Sequence, residues 1–223
     1  MSTPAPREVI IDGLRYIPDP AQIVRPGRWD RALADLEPDP PSGAWGMSGR
    51  TARVQVNMPG GRDACLRVVQ INRRRKVPSG YWENIARAAA AHDIPAALLM
   101  AVFCRESNHG AALDKRGEGD GGHAFGVGQV DKRYHDQAGR PDPYSMAHMQ
   151  QCAGILDDYR DQVASKHPDW ADKYVIKGAA VAYNSGVRNV ATIVRMDRGT
   201  TGNDYGADVC ARAQVYAQLA AVG

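Results

Sequence analysis

Residues 94–131 read IPAALLMAVFCRESNHGAALDKRGEGDGGHAFGVGQVD. The run from Ala96 to Cys104 is apolar on every face, and its length and composition predict a buried helix with Pro95 in the first turn. Gly110 marks its end. Glu106 then falls in the last turn, with Val102 four residues back and Phe103 three back on the same face. Apolar neighbours and the negative end of the helix dipole both disfavour an ionised carboxylate, so Glu106 is expected to hold its proton near neutral pH. Arg105 opposes that shift if its head turns inward.

Beyond this helix the chain changes in kind. Gly117, Gly119, Gly121, Gly122, Gly126 and Gly128 punctuate a stretch too flexible for helix, and glycines at this density mark turns or close approach by a backbone or ligand. Asp120 is embedded in this loop. Asp131 comes after Gln129-Val130 at the end of a short, kinked hairpin. A protonated glutamic acid followed by two aspartates matches the needs of a glycosidase: one acid to protonate the leaving oxygen, one carboxylate to activate water or attack.

These residues carry a family resemblance. Arg105-Glu106-Ser107, Gly119-Asp120, Phe125-Gly126, Gln129-Val130-Asp131-Lys132-Arg133 and His135 resemble the catalytic segment of goose-type lysozymes. A second block lies downstream in family order: Lys177-Gly178, Ala182-Tyr183-Asn184, Gly186, Asn189-Val190, Arg195-Met196-Asp197, Gly199-Thr200-Thr201, Asp204-Tyr205, Asp208-Val209 and Ala211-Arg212-Ala213-Gln214. The resembling motifs span about residues 80–220.

The resemblance implies the lysozyme fold and action on the β-1,4 bond between N-acetylmuramic acid and N-acetylglucosamine in the glycan strands of peptidoglycan. It implies Glu106 as general acid, and Asp120 and Asp131 as the pair that holds and activates water. It implies Tyr183 and Asn184 near the scissile sugar, and Gln129, His135 and Tyr205 along the same groove. Three positions depart from the family pattern. The Glu106 to Asp120 spacing is one residue longer, Gly128 stands where a bulky residue is usual, and Glu118 replaces a tryptophan. Two aspartates favour hydrolysis with inversion over lytic transglycosylation, which needs no carboxylate to activate water. They also count against a glycan-binding module that does not cut, since grip alone does not call for a protonated glutamate opposed to two aspartates.

Other chemistries are disfavoured. Gly117-Glu118-Gly119-Asp120-Gly121-Gly122 satisfies G-x-G-x-x-G, yet it comes after a helix instead of a strand, and its acids repel pyrophosphate. The Asp114–Asp120 loop lacks the twelve-residue calcium pattern. The six histidines form no His-Glu-x-x-His pair, so neither a metal nor a cofactor is expected. A net charge of +3 suits an anionic wall and is too small to argue for nucleic acid. No apolar run reaches the roughly 18 residues a membrane span requires. Cys65, Cys104, Cys152 and Cys210 have no short-spaced framework and are expected as packed thiols, and the chain as a monomer.

With 223 residues and 43% hydrophobic content, the chain can fill one full domain plus an accessory segment. Residues 1–76 are expected to form that segment. It holds one hairpin from Glu8-Val9-Ile10-Ile11 through Asp12-Gly13 to Leu14-Arg15-Tyr16-Ile17-Pro18, and a second from Arg53–Val56 and Ala64–Ile71. The loop 37–43 lies between them, and the basic run Arg73-Arg74-Arg75-Lys76 closes the segment as a linker or a contact for anionic wall polymer. Residues 77–223 are expected as the catalytic domain, α+β but predominantly α, with a helical lobe and a small glycine-rich hairpin lobe. Its helical stripes are Trp82/Ile85/Ala86/Ala89 and Met146/Met149/Ala153/Leu156/Tyr159, followed by helices over 175–183, 187–194 and 205–219. The N-terminus lacks the basic start and apolar core of a secretory signal. Delivery to the wall is then expected through a phage holin, a secretion system or a signal already removed.

Overall fold

The computed structural model describes residues 9–11, 14–16, 27–37 and 45–222. Strands β1 (Val9–Ile11) and β2 (Leu14–Tyr16) pair antiparallel with Val9 opposite Tyr16, as the alternation predicts. The Asp12-Gly13 turn and residues 38–43 of the proline-rich loop lie outside the described residues.

Helix α1 (Arg28–Ala34) buries Trp29, Ala32 and Leu33. Helix α2 (Gly49–Val56) starts on Ser48, whose hydroxyl accepts from the Thr51 N–H at 3.3 Å, and it stops at Asn57 in the left-handed region (φ 53°). Helix α3 (Gly61–Arg73) comes directly after. The second hairpin expected here is therefore wrong. Ala64, Cys65, Val68, Val69 and Asn72 are the buried set of α3, and their three-to-four spacing is the period of a helix face, which the β-branched content masks. Gly60-Gly61 is the entry to α3 and not a connection between strands. Arg73 of the basic run is helical and forms the last turn of α3.

In helix α4 (Tyr81–Ala90) the buried stripe is Tyr81, Ile85, Ala88 and Ala89, while Ala86 faces solvent. Helix α5 (Ala96–Ser107) has Pro95 at its N-cap and ends two residues before Gly110, at Asn108 in the left-handed region (φ 51°). Gly110 answers a different need. A Cβ there would come within 2.0 Å of the Tyr144 hydroxyl. The glycine-rich loop folds into a three-stranded antiparallel sheet, β3 (Glu118–Gly119), β4 (Ala124–Phe125) and β5 (Val130–Asp131), with β4 central and Ala124 opposite Asp131. Helix α6 (Met146–Lys166) opens on Ser145, whose hydroxyl accepts from the His148 N–H. Helix α7 (Asp172–Ser185) and helix α8 (Tyr205–Val222) complete the fold. The helix expected over 187–194 is only a 3-10 turn at Val187–Asn189. Val190 is buried and Val194 is exposed, so no continuous apolar face exists to hold a longer helix.

Leu98, Leu99, Ala101, Val102, Phe103 and Cys104 of α5 are all buried, which is why the sequence is apolar all round. Helix α5 packs along α8 and α4, α7 against α6, α8 and α1, and α3 against α8. Trp29, Leu33, Trp45 and Val68 belong to the same hydrophobic cluster as α5 and α8, so α1 and α3 share the core of the downstream helices. All four cysteines are buried thiols.

Candidate active site

Glu106 sits in the last turn of α5, half-buried, and accepts a hydrogen bond from the Tyr205 hydroxyl at 2.5 Å. Burial raises its pKa to about 7, against the opposing effects of the Tyr205 hydrogen bond and the Arg105 charge. The value is raised as the sequence leads one to expect, with desolvation as the leading cause. Tyr183 and Tyr205 are lifted well above the usual phenol range by burial, so both remain hydroxyl donors. Burial pushes the Cys152 thiol up to about 12, which leaves it inert as a nucleophile.

Arg105 does not face its neighbour. Its guanidinium pairs with Asp208 and, at 3.0 Å, with Asp204, and it lies 5.5 Å from the centre of the Tyr205 ring. Asp208 also receives Arg212 through two bonds of 2.8 Å, and Asp204 accepts from the Ser48 N–H at 2.7 Å. Tyr205 is set by the start of α8, where Asp197 accepts the backbone N–H of Gly206 and, at 3.1 Å, that of Ala207. A wholly buried Lys177 stands 3.6 Å from Asp197. A chain of buried charges therefore fixes the residue that touches the acid.

Activity that requires protonated Glu106 should fall as pH rises through about 7. Tyr205 favours the ionised form by donating to it, so Tyr205→Phe should move this alkaline limb upward by about one pH unit. A pH–rate profile checks it, and a limb that stays or moves down refutes the role given to Tyr205.

The two aspartates occupy the small sheet. Asp120 is exposed, in a left-handed conformation (φ 49°) at the start of a 3-10 turn, and Asp131 is the last residue of β5. Arg133 joins them, with Nη2 2.5 Å from Asp131 Oδ2 and 3.4 Å from Asp120 Oδ2. Its guanidinium holds the Asp131 carboxyl below the usual range. Glu118, the extra acid, is neutralised by Arg140 at 2.6 Å and Arg116 at 3.0 Å.

The remaining sequence candidates fall into two groups. His135 is half-buried beyond β5, and its ring makes no hydrogen bond to the described residues. Gln129, Tyr183 and Asn184 are engaged internally. Gln129 Nε2 donates to the Gly126 carbonyl at 2.9 Å, Tyr183 to the Gly128 carbonyl at 2.8 Å, and Asn184 exchanges two bonds with Thr201. They fix the loops around the acid. Gly128 is dictated by packing, because a Cβ there would lie 2.4 Å from Cys152 Sγ and 2.9 Å from the Tyr183 hydroxyl. Its N–H donates to His148 Nε2 at 3.1 Å. A bulky residue at this position would push the loop off α6 and α7.

Sequence reasoning did not single out Arg133 or the Arg105–Asp204–Asp208–Arg212 group as site features. The first had a signal, an arginine two residues after a strand-end aspartate. The second had a partial one, since Asp208 and Arg212 stand four apart on one helix.

Residues 43–220 match the family Lysozyme g. The match begins well upstream of residue 80, where the motifs placed its start, and takes in α2 and α3. The chain is 34% identical over 184 residues to the lysozyme g of Casuarius casuarius, covering 79% of this chain and 98% of that one. It is 42% identical over 138 residues to that of Gallus gallus, covering 62% of this chain and 64% of the other. The Takifugu rubripes lysozyme g is 34% identical over 175 residues, covering 77% of this chain and 90% of its own. The half-buried acid with its tyrosine donor, the small carboxylate-bearing sheet and this extended match agree: the chain belongs to the g-type lysozymes, glycoside hydrolases of the muramidase class.

Proposed function

We propose that this chain hydrolyses the β-1,4 bond between N-acetylmuramic acid and N-acetylglucosamine of peptidoglycan with inversion at the anomeric carbon, and that it serves the lysis of bacterial walls. Glu106 donates its proton to the leaving oxygen, and Asp120 and Asp131 hold and activate the attacking water. The observation that carries this is the contrast between a carboxyl raised to about 7 and an Asp131 carboxyl lowered by Arg133, the division between acid and base that such a reaction needs. The groups acting on Glu106 are Tyr205 and Arg105. Inversion calls for a separation wide enough for water, about 6.5–9.5 Å, against about 5–5.5 Å in retaining enzymes.

His135 is free to meet the sugar, while Tyr183 and Asn184 shape the groove through the loops they hold. In this proposal α2 and its cap support the site through the Ser48–Asp204 and Gln55–Arg212 bonds. Among the described residues no helix is long and apolar enough to cross a membrane. Proton NMR of the first products from a chitin oligomer should show the α-anomer. Early β-anomer overturns inversion, and 1,6-anhydro ends released from peptidoglycan establish transglycosylation instead.

A further inference from the structure

Arg133 lies where the loop aspartates converge, and its contacts reach beyond a surface ion pair. Its Nε is 3.0 Å from each Asp131 oxygen, its Nη2 bridges Asp131 and Asp120, and its own backbone N–H donates to Asp131 Oδ1 at 2.8 Å. Among the described residues this is the one ion-pair partner of either carboxylate.

Two carboxylates that share a water are like charges at close range, and such a pair tends to take up one proton. A protonated member cannot accept the water's hydrogen. The proposed hydrolysis therefore has two limits: Glu106 must be protonated while both aspartates stay ionised. We propose that Arg133 is a positioning residue that binds Asp120 and Asp131 into one ionised pair and so sets the acid end of the activity range. This rests on the reading that the aspartates activate water.

The charges around the pair are consistent with that role. Asp131 feels Arg133 first and His123 more weakly, both favouring its ionised form. Arg133 in turn feels Asp131, Asp120 and Tyr134, whose ring centre lies 5.9 Å from the guanidinium carbon. Lys132 and His135 flank it along the chain. A lysine at 133 supplies a point charge but no planar fork to span two carboxylates.

The test compares pH–rate profiles of the full chain, Arg133→Gln and Arg133→Lys on a soluble chitin oligomer, with carbon NMR titration of the Asp131 carboxyl in each. Arg133→Gln should raise the acid limb and the Asp131 titration by about one pH unit, the lower end of the range for an ion-pair partner because the pair is partly exposed. The alkaline limb belongs to Glu106 and should not move. Arg133→Lys should fall between. Titrations in Arg133→Gln that coincide with those of the unaltered chain overturn the proposal, as does an equal loss of activity at every pH with the acid limb in place. An inactive variant still titrates, so it still decides. Wild-type hydrolysis by Asp131→Asn overturns the base role itself, and with it Arg133's effect on rate; unchanged titrations overturn the hold of Arg133 alone.

Discussion

Glu106→Gln should abolish the clearing of purified peptidoglycan, with hydrolysis reduced by about 10²–10⁴-fold, the contribution usual for a positioned acid. Glutamine keeps the shape and can still meet the Tyr205 hydroxyl, so what is lost is the transferable proton. The same substitution should affect stability with a defined sign. Glu106 has a folded-state pKa raised to about 7, above its unfolded value, so its contribution is complete at pH below about 4 and is lost as pH rises through about 7. At pH 8–9 an ionised carboxylate is held in a poorly solvated site, and the neutral glutamine is not. Thermal melting should therefore show Glu106→Gln above the unaltered chain at pH 8–9, with the gap closing toward pH 5. Retained clearing removes Glu106 as the acid. A melting difference that grows toward low pH instead contradicts the burial argument.

Asp208→Asn should be strongly destabilising despite its conservative shape. Asp208 is fully buried and its two oxygens receive Arg212 twice, Arg105 once, and the Cys65 thiol at 3.3 Å. Asparagine removes the negative charge and presents an NH₂ group to guanidinium donors, which leaves Arg105 with Asp204 alone and Arg212 facing only the neutral Met47, Cys104 and Gln55. Removing one partner of a buried pair costs about 3–5 kcal/mol, which corresponds to a fall in Tm of about 6–20 °C for a chain of this size. Asp172→Asn supplies the contrast. It breaks the Arg28–Asp172 pair, whose side chains are 64% and 38% exposed, and a pair of that kind contributes about 1 kcal/mol or less. Melting curves of the two variants should differ widely. Equal, small shifts mean that the Asp208 network is not what holds α8 against α5.

Legibility from sequence tracks the range of the interaction. The α5 pattern, the Ser145 cap of α6 and the Val9–Ile11/Leu14–Tyr16 hairpin are local matters of period, cap and alternation, and they are readable. Helix α3 reads as strand because Leu66, Val68, Val69 and Ile71 raise β-propensity. Only the partner surface on α8 shows that the 64/65/68/69/72 set is the buried one. The 187–194 segment misleads for the opposite reason: its valines suggest a helix face with nothing to pack against beyond Val190. At the site, types and spacing point to Glu106, Asp120 and Asp131, but not to the internal bonds that occupy Gln129, Tyr183 and Asn184.

An acid at the end of an apolar helix, two aspartates after it in a glycine-rich loop, and the chemistry of a glycosidase are all legible in the chain's order of residues. Those are properties of residues close together in the chain. The tertiary structure alone decided that Tyr205, 99 positions downstream, donates to Glu106, that Arg105 turns to Asp204 and Asp208 instead of to the acid, and that Ser48 from the N-terminal third braces Asp204. The physical reason is that a carboxyl's protonation depends on what excludes water from it and on which charges surround it, and here those groups come from helices far apart in the chain, brought together by packing in one core.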